Sequence, residues 1–198
     1  MIVFAAASAY HSIAVSLLTG TFAIALLFAL ISSYAARTGR AELLLGSHFT
    51  TKAAVILGLA LSFAGIITGF LIWPIEAVLN SALLKNKLFV VIMTVLLWAM
   101  YLGVVLGKGI AVWYSGPLTL HAVALAVFGF LGNVIANSIG GDSAGNPSGF
   151  EQIIRLFGIE TRWTFYLPTW MNLALVIAGI TVFVVALLIS RRPTTPQR

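Results

Sequence analysis

The sequence predicts an all-α integral membrane protein, a single bundle of five transmembrane helices, and three observations carry that prediction. Hydrophobic residues make up 61% of the 198 positions and charged residues 8%, where a soluble domain holds roughly a quarter charged. The apolar residues fall into uncharged runs at 11–36, 53–75, 88–107, 116–139 and 165–190, each long enough to cross a bilayer. Lys and Arg stand between the runs and not within them. In lipid only a helix or a closed barrel satisfies the backbone, and continuous apolarity lacks the alternation of barrel strands.

The first run is the reference for the others. Residues 12–36 rise at ~1.5 Å each to ~37 Å, beyond the ~30 Å hydrocarbon core. His11, preceded by Tyr10, opens this run, and an ionisable group at the edge of a span is a functional-site hypothesis by default. The run is too long for a signal h-region and has no basic n-region before it, so it is expected to be retained.

In the second run Gly58, Ser62, Gly65 and Gly69 supply small residues, with Gly65-x-x-x-Gly69 expected to be the closest helix approach. Clearance for a flat cofactor is the alternative reading of those glycines. Gly103 and Gly107 play the same part in the third run, and Gly129 and Gly132 in the fourth. Pro74, Pro117 and Pro168 lie at run ends, where a missing amide donor costs least.

Between the fourth and fifth runs, GGDSAGNPSG is turn-forming. Phe150, Ile153, Ile154 and Phe157 then recur at helical spacing, which predicts an interfacial helix over 149–158. Trp163, Tyr166 and Trp170 read as an aromatic belt. The tail 191–198 is a basic cytoplasmic end.

Orientation follows from the basic residues. With the N-terminus outside, Arg37, Arg40, Lys52, Lys108, Arg191, Arg192 and Arg198 lie inside, against Lys85, Lys87, Arg155 and Arg162 outside. That bias favours N-out and C-in, in a multi-pass protein of the plasma (inner) membrane.

Composition narrows the chemistry. The chain has no cysteine, which removes disulfides, iron–sulfur clusters and thioether-linked haem. The net charge of +6 is dispersed between apolar runs, which fits topology and not nucleic acid. No run contains Asp, Glu, Lys or Arg, so a proton relay or charge-coupled pump lacks its parts. Three dispersed histidines without a carboxylate do not form a zinc site.

With this topology, polar side chains gather at two levels. His11, Met93, Met171, Asn172, Asn133 and Asn137 share the outer one; His121 and His48, the latter expected in a loop before the second span, share the inner one. Imidazole and thioether are the axial ligands of a haem iron that need no thiolate. His11 and His121 are therefore the candidate metal ligands, with Met93 and His48 as further cofactor contacts. Asn133 and Asn137, one turn apart, are candidates to hold haem propionates, a quinone carbonyl or a neighbouring helix.

These residues also carry a resemblance. Ser8-Ala9-Tyr10-His11, with Val15, Leu18, Thr19 and Gly20 following, resembles the first helix of the main subunit of the cytochrome bd quinol oxidases. Leu59 to Phe70 and Gly129 to Asn137 with Asn146-Pro147 are similar to that family's second and fourth helices. The resemblance implies His11 as an outer-side ligand of a b-type haem and an external N-terminus. The third run lacks the family's glutamates, and the long quinol loop and second bundle are missing. A second likeness is to small four-helix b-type cytochrome-like membrane proteins, with His11 opening the first helix and Gly140-Gly141 closing the fourth. The expectation is a subunit binding one or more b-type haems, with quinone as a second ligand, passing electrons to a partner redox subunit. The alternative is a cofactor-free subunit anchoring a larger membrane complex.

Overall fold

The computed structural model describes residues 2–143 and 149–158, together with Trp170, Ala174, Ile177, Gly179, Ile180, Thr181 and Val184. Its long elements are α1 (Ile2–Arg37), α2 (Ala41–Ile72), α4 (Ala82–Lys108) and α5 (Gly116–Ser143). The short α3 (Ile75–Asn80) joins α2 to α4, a 3-10 turn over Gly109–Tyr114 joins α4 to α5, and α6 (Gly149–Leu156) follows. All four long helices carry stretches long and apolar enough to cross a membrane. The outward faces of α1, α2 and α5 bear Leu17, Leu27, Phe49, Phe63, Ile67, Leu71, Leu120 and Phe128, all exposed. Such continuous apolar exposure is stable against hydrocarbon and not against water. The chain is a multi-pass all-α membrane protein whose helices contact the bilayer.

The connection between α1 and α2 takes only Thr38, Gly39 and Arg40. Gly39 adopts φ +70°, and Arg40 N–H donates to the Ala35 carbonyl at 3.0 Å, which is the Schellman closure a glycine at this position permits. Arg40 then caps α2, and its carbonyl accepts from Leu44 N–H at 3.0 Å. Glu42 in the first turn of α2 sits where an anion is favoured. The helix therefore begins well before the apolar run at 53, and His48 lies inside α2, not in a loop. A buried backbone has few partners besides its own helix, so good formers such as Ala41-Glu42-Leu43-Leu44-Leu45 are recruited into it.

The same effect lengthens the other helices. Helix α1 begins at Ile2, so His11 stands more than two turns inside it and not at its mouth. Helix α4 starts at Ala82, capped by Ser81 Oγ, which accepts from Leu84 N–H at 3.3 Å. Lys85 and Lys87 therefore lie on the first turns of α4, which extends ahead of the uncharged run at 88–107, and not in a loop before it. Helix α5 runs through Gly140 and Gly141 to Ser143, so that pair is a last turn of helix and not the start of a loop. Pro74 precedes α3 and Pro117 stands at the start of α5.

The centre of the bundle is aromatic. Phe22 of α1 stacks on Trp98 of α4 with centroids 4.5 Å apart and planes 7° from parallel. Trp98 meets the Tyr101 ring edge-on at 5.6 Å. All three are fully buried. Glycines make room for them: a Cβ at Gly58 would overlap the Phe22 ring, and one at Gly129 would lie 2.8 Å from Trp98 Nε1. At Gly132 a Cβ would run into Thr94 Oγ1. The closest helix approaches are thus at Gly58, Gly129 and Gly132. At Gly65 and Gly69, expected to be the tightest pair, an added Cβ would meet only ordinary contacts among the described residues, Val15 at 4.0 Å and His11 at 3.4 Å respectively.

A short helix, α6, forms within the stretch 149–158, with Ile153 and Leu156 exposed and Phe157 exposed just after it. Of the fifth run, the described positions are helical, and a Cβ at Gly179 would meet Met93 Cε at 3.1 Å and Leu96 at 3.5 Å. Met171, Asn172, Trp163, Tyr166, Pro168, Asn146, Pro147 and the tail 191–198 lie outside the described residues.

Candidate functional site

Helices α1, α2, α4 and α5 separate at one end of the bundle around a cavity that holds about 830 Å³ of atom-free space, its open side included. Helix α1 contributes His11, Val15 and Leu18; α2 contributes Ser62, Gly65, Ile66, Gly69 and Phe70, with Trp73 just beyond. Val78 of α3 closes one side. Helix α4 adds Leu84, Lys87, Leu88 and Val91, and α5 adds Asn133, Ala136 and Asn137. The wall is mostly apolar with a few convergent polar groups, which is the composition of a small-molecule site.

Gly65 and Gly69 give this cavity its shape. The His11 imidazole rests against Gly69, and Val15 stands 4.0 Å from where a Cβ at Gly65 would lie.

His11 is held in a defined way. Its Nδ1 lies 3.0 Å from the Gly65 carbonyl oxygen and 3.2 Å from Thr68 Oγ1. A carbonyl only accepts, and the Thr68 hydroxyl already donates to Ala64 O at 2.8 Å. Nδ1 therefore carries the proton and donates to both, which in a neutral imidazole leaves the Nε2 lone pair unprotonated. A backbone carbonyl on the distal N–H is the outer-shell arrangement that fixes ring orientation and raises basicity in metal-ligating histidines. The unprotonated Nε2 of this cavity-lining His11 is thus a candidate metal donor.

The asparagines divide. Asn133 is buried and donates from Nδ2 to Thr19 Oγ1 at 3.1 Å, while Thr19 donates to Val15 O at 2.9 Å. That chain ties α5 to α1. Asn137, half-buried one turn farther along α5, lines the same cavity.

Lys87 is the residue that sequence reasoning missed. Its amine lies against α5 where a Cβ at Gly140 would stand 3.0 Å from Nζ, and its side chain lines the cavity. Its place in LLKNKLF, with Leu83 and Leu84 before it, was the available signal: an apolar run extended backwards across two lysines.

The remaining candidates sit elsewhere. Met93 is half-buried on α4 beside Gly179 and Leu96 and does not line the cavity. His121 is exposed on α5. His48 is buried toward the opposite end, where Nδ1 accepts from Trp113 Nε1 at 3.0 Å. Neutral His48 consequently carries its proton on Nε2, the tautomer opposite to that of His11. Around it Ser32 and Ser47 hydroxyls meet at 2.8 Å, and Thr51 Oγ1 donates to Ser47 O at 2.9 Å. Among the described residues, three or more His, Cys, Asp or Glu side chains nowhere gather as an ion site.

Fold and site together define a multi-pass helical membrane protein with a mostly apolar cavity near one end. No known family, no curated protein and no solved structure matches the chain.

Proposed function

We propose that the chain is a b-type cytochrome subunit, holding haem in this cavity through His11 and passing electrons between quinone and a partner redox subunit. The carrying observation is the hydrogen bond from His11 Nδ1 to Gly65 O, which leaves Nε2 unprotonated on a residue lining an apolar cavity. Bound there, haem supplies one-electron redox chemistry. The protein orients the imidazole through Gly65 and Thr68, excludes water with Val15, Leu18, Ile66 and Val91, and leaves the α2 wall flat at Gly65 and Gly69. His121, Met93 and His48 are not among the cavity's described lining residues, so the proposal rests on His11 alone for iron.

The finer topology belongs to the same proposal: five spans, N-terminus outside and C-terminus cytoplasmic, in the plasma membrane. Two observations support it. The His48 end of the bundle carries Arg37, Arg40, Lys52 and Lys108, as the cytoplasmic side should. The described positions of the fifth run are helical, and Gly179 lies against Met93 of α4.

The test is the visible spectrum of the purified protein. A reduced-minus-oxidised b-type band that His11→Ala removes is the expected result. A colourless, folded protein would leave the cofactor-free anchor subunit as the reading.

A further inference from the structure

An ammonium group taken from water into a low-dielectric cavity costs several kcal/mol unless an anion or strong acceptors meet it. Lys87 stands in that situation. It lines the cavity between α4 and α5, and the described lining of that cavity is otherwise apolar apart from His11, Ser62, Trp73, Asn133 and Asn137, with no carboxylate among those lining residues. Asn133 has committed one of its two amide N–H groups to Thr19. Asn137 lies one turn before Gly140, the position over which the Lys87 amine sits, so an ammonium and an amide share one level of the wall. The rest of the cavity, along Val15, Leu18, Ile66 and Val91, accepts hydrocarbon.

We propose that the ligand of this cavity is an apolar molecule bearing a carboxylate, and that Lys87, with Asn137 beside it, anchors that carboxylate. The inference rests on the cavity being a ligand site, and it deepens the proposed function by assigning the acidic edge of the ligand. Two sources share this chemistry: a porphyrin propionate and the head of a membrane-derived fatty acid.

The test uses the full chain in phospholipid nanodiscs and two pairs of fluorescent probes. Iron-free protoporphyrin IX is compared with its dimethyl ester, and cis-parinaric acid with its methyl ester. Because neither pair contains iron, ligation by His11 plays no part in the readout. A charge-assisted contact predicts that the acid binds about tenfold or more tightly than the ester. Lys87→Gln should bring that ratio near one, Lys87→Arg should retain it, and Lys85→Gln, outside the cavity, should leave it unchanged and so control for the net charge of +6. An acid preference with the porphyrin pair identifies the propionate as the source. A preference with the fatty-acid pair alone supports the carboxylate anchor and assigns it to lipid, while counting against haem. Equal binding of acid and ester in both pairs by the wild-type chain, or an undiminished ratio in Lys87→Gln, overturns the proposal. A wild-type haem band accompanied by no acid preference would sink this inference and leave the cytochrome reading standing.

Discussion

Trp113 donates its indole N–H to Nδ1 of His48 at 3.0 Å, fastening the 3-10 turn after α4 onto the first turns of α2. The contact joins residues far apart in sequence and gives a buried imidazole a packing partner at the end of the bundle opposite the cavity. It also sets the two interior histidines in opposite roles: His11 donates from Nδ1, and His48 accepts there.

Trp113→Phe keeps most of the ring and leaves His48 Nδ1 buried without its donor. A buried acceptor left unsatisfied costs about 1–3 kcal/mol. The unfolding midpoint in detergent should fall accordingly, with ligand binding at the other end unaffected. An unchanged midpoint would show that the bond adds nothing.

The glycines of α2 should respond with opposite signs. Gly58→Ala pushes a methyl group into Phe22, which is pinned by its stack on Trp98, and should cost about 1–3 kcal/mol by overpacking. Among the described residues Gly65→Ala meets only Val15, at 4.0 Å, and should be neutral or stabilising by up to about 1 kcal/mol, because alanine favours the helix. Thermal denaturation of the two variants side by side decides the matter, and an equal loss in both would contradict the packing described.

Larger residues at the cavity wall should separate binding from stability. Gly69→Leu fills space beside the His11 ring, so haem incorporation should be lost while the helical content measured by circular dichroism stays the same. Full haem occupancy in Gly69→Leu would place the ligand elsewhere.

Thr68→Val removes one of the two acceptors on His11 Nδ1 and keeps the Gly65 carbonyl. Loss of an outer-shell partner typically weakens a metal site about 10–100-fold; with one acceptor retained, the expected effect is about tenfold. Haem titration of the variant provides the measurement, and affinity equal to wild type would mean that Gly65 alone orients the ring.

Asn133 and Thr19 form the interhelical hydrogen bond at the cavity floor. A double-mutant cycle with Asn133→Leu and Thr19→Val should give a coupling near 0.6 kcal/mol and no more than about 1.7 kcal/mol, the range for such bonds in membrane bundles. Zero coupling would indicate that the pair is incidental.

The long apolar stretches were legible in the sequence because the bilayer imposes one rule on every spanning residue: the backbone must bond to itself and the side chains must tolerate hydrocarbon. That rule is local, so four helices long and apolar enough to cross a membrane and an amphipathic α6 could be read without knowing what touches what. His11, Asn133 and Asn137 were singled out by depth along their helices, and all three do line one cavity. Helix ends were less legible. Loss of hydration extends a helix past the end of its apolar run, which moved His48 into α2 and Lys87 into α4.

What the tertiary structure alone decided was which side of each helix faces its neighbours. A glycine carries no label saying whether a partner fills the space beside it; Gly58 proved crowded by Phe22, while Gly69 meets the His11 ring at ordinary contact distance and Gly65 has Val15 no nearer than 4.0 Å. A lysine next to an apolar run reads as a loop charge until a helix from elsewhere in the chain supplies the wall it leans on, here α5 at Gly140. Depth follows from counting residues along one helix, whereas facing depends on how four helices rotate against one another, and that rotation is set by contacts between residues distant in sequence.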